Sequence, residues 1–119
     1  MKILVVDDSK LARLTLIKTL KEYEPSAEVY EAENGAIAVE LFKSENPRVV
    51  FLDLTMPVMD GYEALKLIMQ IDPHAQVVVV SADIQTHAQE QVLALGAKLM
   101  VPKPINSEKM VGILQQLVF

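Results

Sequence analysis

The sequence contains no cysteine, only two histidines and no long apolar run. Without cysteine the chain can form neither a disulfide framework nor a thiolate metal site, and a histidine-rich metal site is excluded as well. No apolar run approaches the roughly 18 residues of a membrane span. The acids Asp7 and Asp8 come too early for a signal peptide. We therefore expect a cytoplasmic protein without a membrane segment.

The sequence also has no excess of basic residues. Its 16 Asp and Glu residues outnumber its 11 Lys and Arg residues, which gives a net charge of −5. This charge argues against a protein that binds the phosphate backbone of a nucleic acid. The 119 residues are 51% hydrophobic and 23% charged. This composition excludes a disordered chain, and the length is that of one domain, which we place at residues 1–119.

Five short segments predict the strands of a sheet. The first, third and fourth are continuously apolar and rich in β-branched residues, as in strands that are buried on both faces of a parallel sheet. The second is more polar, which favours a position at the edge. The segments are residues 3–6, 28–30 with their neighbours, 49–52, 77–80 and 98–101.

Five helical stretches alternate with these strands. We expect Ser9 to cap the first helix, Gly96 to close the fourth, and either Asn106 or Ser107 to cap the fifth. Strict alternation with right-handed crossovers predicts an α/β fold with a doubly wound (βα)5 parallel sheet. The stretches are residues 10–23, 36–45, 62–71, 85–95 and 107–118.

Polar side chains follow four of the predicted strands. Doubly wound sheets bind ligands beyond the carboxyl ends of their strands, so these residues are expected to share one edge. One polar residue at a strand end needs no special explanation, but three carboxylates, a hydroxyl and an ammonium together favour a functional site. They are Asp7 and Asp8 after the first strand, Asp53 after the third, Ser81 after the fourth and Lys103 after the fifth.

The chemistry of this set points to a metal ion and a phosphoryl group. Neighbouring carboxylates repel one another unless a cation compensates, and a hard divalent ion such as Mg²⁺ prefers oxygen ligands. A lysine and a serine hydroxyl add a positive charge and a hydrogen-bond donor for a phosphoryl group. No serine or cysteine has an activating base, so the expected nucleophile is a carboxylate, which would form an acyl phosphate.

Four segments, taken in order and at their separations, resemble the receiver domain of two-component response regulators of the single-domain chemotaxis and phosphorelay type. They are VVDDS at 5–9, LDLTMPVMDG at 52–61, VSA at 80–82 and PKP at 102–104. The resemblance covers the whole chain and implies a flavodoxin-like sheet with strand order 2-1-3-4-5. It also implies a cis peptide bond between Lys103 and Pro104.

The same resemblance implies which residues carry the phosphoryl chemistry. Asp53 would accept a phosphoryl group from the phosphohistidine of a sensor histidine kinase or a histidine phosphotransfer protein. Lys103 would pair with the phosphoryl oxygens, and Ser81 would donate a hydrogen bond to one of them. Such a protein catalyses only its own phosphorylation and dephosphorylation, so it is a switch and not a turnover enzyme.

The resemblance also implies how Mg²⁺ is held. Asp8, Asp53 and the backbone carbonyl of Thr55 would be the direct ligands, whereas Asp7 would act mainly through water. The side chains of Thr55 and Asp83 would flank the path of the attacking water and tune hydrolysis of the phosphorylated form.

Met100 departs from the pattern of the family, because receivers usually carry an aromatic residue three positions before the lysine. In the family that ring swings inward as a serine or threonine closes on the phosphoryl group. A flexible methionine can fill the same space. We therefore expect Ser81 and Met100 to form the switch, with a smaller amplitude than a ring would give.

The expected partners are proteins. The chain ends one helix after Lys103 and leaves no residues for a DNA-binding output domain. We expect a stand-alone receiver that acts on a downstream effector protein, with no direct DNA binding and no membrane partner; a fragment of a longer protein is the alternative. Leu11 and Leu14 lie off the core stripe of the first helix, so they are either surface residues, contacts to the fifth helix or a kinase-docking patch.

Two other functions stay open at this point. A phosphatase of the haloacid dehalogenase type uses a similar Asp, Lys and Mg²⁺, but it needs a second acid two residues after the nucleophile, where this chain has Thr55. The other alternative is a receiver that binds partners without being phosphorylated. The intact acidic, hydroxyl and lysine positions argue against it.

Overall fold

The computed structural model describes residues 1–82 and 85–118, in which five strands alternate with five helices. The strands are β1 (Lys2–Val6), β2 (Glu28–Ala32), β3 (Val49–Leu52), β4 (Gln76–Ser81) and β5 (Leu99–Pro102). The helices are α1 (Lys10–Tyr23), α2 (Gly35–Glu45), α3 (Gly61–Ile71), α4 (Thr86–Ala94) and α5 (Ser107–Gln116). The predicted (βα)5 alternation is confirmed.

The strands form one parallel sheet in the order β2-β1-β3-β4-β5, with the more polar β2 at an edge, as predicted. Val6 at the end of β1 pairs with Leu52 at the end of β3. Asp7 and Asp53, each one residue further on, therefore emerge side by side where the strand order reverses. This reversal point is where ligands bind in doubly wound sheets.

The core lies on both faces of the sheet, because successive side chains of a strand point to opposite sides. One face packs against α1 and α5, and its largest buried side chains include Ile3, Phe51, Leu20 and Met110. The other face packs against α2, α3 and α4. Burial on both faces explains why β1, β3 and β4 are continuously apolar.

The helix ends follow the predicted caps in most places. The side chains of Ser9 and Asn106 accept backbone N–H groups at the starts of α1 and α5, which decides between Asn106 and Ser107. Gly96, with φ of +112°, follows α4. Helix α5 ends at Gln116 and not at 118, because Leu117 turns to extended backbone. None of the helices in residues 1–82 and 85–118 has both the length and the apolar character needed to cross a membrane.

Candidate functional site

Three carboxylates meet at the carboxyl edge of the sheet. Asp7 and Asp8 follow β1, Asp53 follows β3, and one oxygen from each lies within 4.8 Å of the others. Asp7 and Asp53 are each only 6% exposed, whereas Asp8 is open to solvent. The structure thus brings together the acids that the sequence placed at this edge, two of them buried and one exposed.

Lys103 joins these acids from the loop between β5 and α5. Its Nζ lies 2.7 Å from Asp7 Oδ2 and 3.4 Å from Asp53 Oδ1. Its peptide bond to Pro104 is cis, as expected. Asp7 uses its other oxygen, Oδ1, to accept the N–H of Ser9 at 2.9 Å. Both oxygens of Asp7 are therefore engaged within the protein.

The two oxygens of Asp53 have different surroundings. Oδ1 accepts the N–H of Leu54 at 2.9 Å and faces Lys103. For Oδ2 no hydrogen bond is seen within residues 1–82 and 85–118. The backbone thus holds one oxygen of a largely buried carboxylate in place.

The electrostatics of the site are those of crowded charges. Burial raises the pKa of Asp53 above its ordinary value of 3.8; the charge of Lys103 opposes this rise and the charge of Asp7 adds to it. Burial alone would lower the pKa of Lys103, but its hydrogen bond to Asp7 and the charges of Asp53 and Asp7 outweigh burial and raise that pKa. Ionised Asp53 is therefore costly in this cluster, and an additional cation would relieve that cost.

The remaining predicted residues lie around this cluster. Ser81 ends β4, is 4% exposed, and its carbonyl accepts the N–H of Lys103 at 2.9 Å. Thr55 is exposed in the loop that follows β3. Met100 is half-buried in β5 and packs towards the face covered by α2, α3 and α4. Asp83 lies outside the described residues.

The loop between β3 and α3 is held by backbone contacts that the sequence analysis missed. Gly35 donates its N–H to the Met59 carbonyl, and Gly61 donates its N–H to the Leu54 carbonyl, each at 2.9 Å. Val58 in this loop has φ of +67°, a backbone conformation that is unusual for a β-branched residue. It is also 85% exposed. The two glycines were the signal in the sequence that could have indicated these contacts, because glycine often marks a close approach between backbone segments. The sequence does not show, however, which segment each glycine contacts.

Helix α1 adds a further contact that the sequence analysis missed. Arg13 donates from Nη1 to the backbone carbonyl of Asp7 at 2.7 Å and from Nε to Glu31 at 2.9 Å. On the same helix Leu11 and Leu14 are 75% and 46% exposed. This exposure favours a surface position over packing against α5, and the kinase-docking patch stays a prediction.

Comparisons with known proteins agree with this geometry. The response regulator receiver domain family matches residues 3–115. The chemotaxis protein CheY of Listeria monocytogenes is 39% identical over 116 residues, which are 98% of this chain and 97% of that protein. The structure of CheY4 of Vibrio cholerae has a TM-score of 0.88 at 27% identity, with 98% of each chain covered.

A third relative was solved with ligands and a partner. It is the CheY of Borrelia burgdorferi in a complex with CheX, BeF3 and Mg²⁺, with a TM-score of 0.83 and 31% identity over 98% of this chain and 85% of that one. Fold, acidic cluster and sequence identity point the same way. The chain belongs to the response regulator receiver domain family and is of the chemotaxis CheY type.

Proposed function

We propose that residues 1–119 form one receiver domain that acts as a phosphoacceptor switch in the cytoplasm. In this proposal Asp53 accepts a phosphoryl group from the phosphohistidine of a sensor histidine kinase or a histidine phosphotransfer protein. The observation that carries the proposal is the position of the Asp53 carboxylate, which Leu54 holds through Oδ1 beside Lys103 and the other two acids of the cluster. The family match over residues 3–115 argues against the phosphatase of the haloacid dehalogenase type.

The proposed transfer is an exchange of bonds at phosphorus. An oxygen of the Asp53 carboxylate forms a bond to phosphorus while the bond between phosphorus and the imidazole nitrogen breaks, and the nitrogen keeps the electron pair. Water later attacks phosphorus, the bond between phosphorus and the Asp53 oxygen breaks, and inorganic phosphate leaves with the carboxylate restored. Such a transfer depends mainly on positioning and on neutralising charge. Lys103 would pair with the phosphoryl oxygens, and Ser81 would donate a hydrogen bond to one of them.

The acidic cluster also fits Mg²⁺. Carboxylate oxygens are the hard ligands that this ion prefers, and it usually combines one or two of them with waters and a phosphate oxygen. Asp8, Asp53 and the backbone carbonyl of Thr55 would hold the ion directly. Asp7 would act through water, because both its oxygens already accept hydrogen bonds within the protein. When bound, the ion would neutralise charge on the phosphoryl oxygens.

Signalling would depend on residues that respond to the phosphoryl group. Ser81 would move towards it, and Met100, half-buried on the neighbouring strand, would repack into the vacated space. The Borrelia burgdorferi CheY was solved in a complex with CheX, which supports signalling through protein–protein contacts; we propose that the partner of this chain is a downstream effector protein.

Phosphorylation by a small donor tests the proposed function. Wild-type protein incubated with acetyl phosphate and Mg²⁺ is expected to gain one phosphoryl group, which peptide mapping should place on Asp53. A chelator should prevent the modification. No gain in mass with Mg²⁺ present would contradict the proposed function, and a label on Asp7 or Asp8 would assign the nucleophile elsewhere.

Mg²⁺ is expected to stabilise the folded protein, because the acids come together only when the chain folds. At ten times its dissociation constant the ion should add about 1.4 kcal/mol to the free energy of unfolding. Asp8→Asn should remove most of this gain, and because Asp8 is exposed the substitution should leave the fold intact. Thermal melts with and without millimolar Mg²⁺ measure the effect; an equal gain in both proteins would remove Asp8 from the ligand set.

A further inference from the structure

Arg13 links three parts of the fold next to the acidic cluster. It lies in α1, and its side chain is 12% exposed. Nη1 donates to the backbone carbonyl of Asp7 at 2.7 Å, at the end of β1, while Nε donates to Glu31 on β2 at 2.9 Å. A guanidinium that is held by a carboxylate in this way is fixed in its plane, so its other donors point in a fixed direction.

The carbonyl that Arg13 holds belongs to the peptide bond between Asp7 and Asp8. The Asp7 N–H is bonded to the Ala32 carbonyl at 3.1 Å, one residue beyond the paired residues of β1 and β2. The Asp7 carbonyl thus lies where the strand pairing ends. Because the peptide unit is planar, fixing its carbonyl restrains the backbone from which both carboxylates project.

We infer that Arg13, held by Glu31, is a positioning residue that orients the Asp7–Asp8 peptide and thereby sets the affinity of the cluster for Mg²⁺ and its preference for Mg²⁺ over Ca²⁺. This inference rests on the proposed metal site. Mg²⁺ demands near-ideal octahedral ligand geometry, whereas Ca²⁺ accepts more varied arrangements. Loosening the peptide should therefore weaken Mg²⁺ binding more than Ca²⁺ binding.

The sign of the effect separates positioning from simple charge. Arg13 carries a positive charge beside an acidic site, so by Coulomb's law its removal should strengthen the binding of any divalent cation. Positioning has the opposite consequence. Groups that hydrogen-bond metal ligands directly usually contribute 10–100-fold to metal affinity, and we expect Arg13, which bonds the backbone between Asp7 and Asp8, to lie at the lower end of that range. The two explanations therefore differ in direction and not only in size.

The experiment is calorimetric titration of the folded protein with Mg²⁺ alone and with Ca²⁺ alone, at constant ionic strength and well below the melting temperature. Arg13→Met keeps the apolar stem and is expected to raise the Mg²⁺ dissociation constant about tenfold, with a smaller rise for Ca²⁺. Arg13→Lys should recover part of the loss, since an ammonium can reach one of the two acceptors but cannot reproduce the fork.

Lys2→Met is the matched control. Like Arg13→Met, it removes one positive charge and breaks one ion pair, here that of Lys2 with Glu45 at 3.2 Å. Lys2 is the first residue of β1 and therefore lies at the end of the strand opposite to Asp7. Its Mg²⁺ dissociation constant should equal that of wild type. If Arg13→Met does not fold, Glu31→Gln takes its place, and the ratio of the Mg²⁺ and Ca²⁺ constants is compared, because a charge effect changes both alike.

Each outcome decides the question. Equal or tighter Mg²⁺ binding by Arg13→Met, or an unchanged ratio of the two constants in Glu31→Gln, would overturn the positioning role. Wild-type protein that binds no Mg²⁺ would instead count against the proposed metal site, so the failures of the two proposals are distinguishable.

Discussion

Replacing Asp53 with asparagine is expected to abolish phosphorylation by acetyl phosphate and, at the same time, to raise the melting temperature of the metal-free protein. The loss of phosphorylation follows because the amide is a poor nucleophile and the proposed phosphoacceptor is gone. The gain in stability follows from burial: ionised Asp53 is costly in the cluster, and the neutral amide has nearly the same shape. Lys103 is not left unpaired, since its nearer partner is Asp7, at 2.7 Å.

The gain should depend on pH in a defined direction. Because folding raises the pKa of Asp53 above its ordinary value of 3.8, the folded protein binds more protons than the unfolded chain between 3.8 and the raised pKa. The contribution of Asp53 to the free energy of unfolding therefore falls as the pH rises through this window. The advantage of Asp53→Asn should be full above the raised pKa of Asp53 and should shrink as the pH falls through this window towards 3.8.

Thermal melts of both proteins in EDTA and in Mg²⁺, at neutral and acidic pH, measure these effects. Mg²⁺ should raise the melting temperature of wild type and have little effect on Asp53→Asn. Asp72→Asn is the control, since it removes the same charge from an exposed turn at the other end of the sheet. Labelled Asp53→Asn protein would place the nucleophile on another acid, and a lower melting temperature in EDTA would mean that attraction to Lys103 outweighs burial.

The parts of this molecule that could be predicted from sequence are those set by local pattern. Strand β3 was predicted at 49–52 and observed at Val49–Leu52, because a short, continuously apolar segment rich in β-branched residues is typical of a strand covered on both faces. Asp7, Asp53 and Lys103 could be predicted to converge because parallel strands bring their carboxyl ends to one edge. Helix ends were less predictable, as Leu117 shows, because a single residue's backbone angles decide them.

The details that sequence could not supply are contacts between distant segments. Lys103 and Asp7 are 96 residues apart, and nothing local indicates that the lysine lies nearer to Asp7 than to Asp53. The same is true of Arg13, because nothing in the local sequence connects it with Asp7 or Glu31. Which oxygen of Asp53 is held in place is decided by one backbone N–H, that of Leu54. These contacts determine the chemistry of the site, and they form only when the folded chain brings the segments that carry them together.

Gly61→Ala is expected to destabilise the protein strongly. A Cβ at this position would lie 2.1 Å from the carbonyl oxygen of Asp53 and 2.6 Å from the Cα of Leu54. Both are backbone atoms, so no side-chain rotation can relieve the clash. Overpacking against side chains typically costs 1–3 kcal/mol, and for this backbone clash we expect about 3 kcal/mol, or a melting temperature lower by roughly 10 °C.

Gly112→Ala supplies the control within the same chain. Gly112 is also helical, in α5, and a Cβ there meets nothing within 4 Å. Alanine should therefore stabilise α5 by about 0.5–1 kcal/mol through its higher helix propensity. Opposite signs for the two glycine substitutions, measured by denaturant unfolding, would assign the loss in Gly61→Ala to the contact and not to the residue type.

Gly61→Ala should also impair the acidic cluster. Gly61 donates its N–H to the Leu54 carbonyl, and Leu54 in turn donates to Asp53 Oδ1, each at 2.9 Å. A methyl group that pushes the Asp53 carbonyl away must move this chain of contacts, so the Mg²⁺-dependent rise in melting temperature should shrink in Gly61→Ala and persist in Gly112→Ala. A destabilisation below about 1 kcal/mol with a normal response to Mg²⁺ would show that the loop after β3 can yield without disturbing Asp53, and the tight backbone approach would then have no bearing on the acidic cluster.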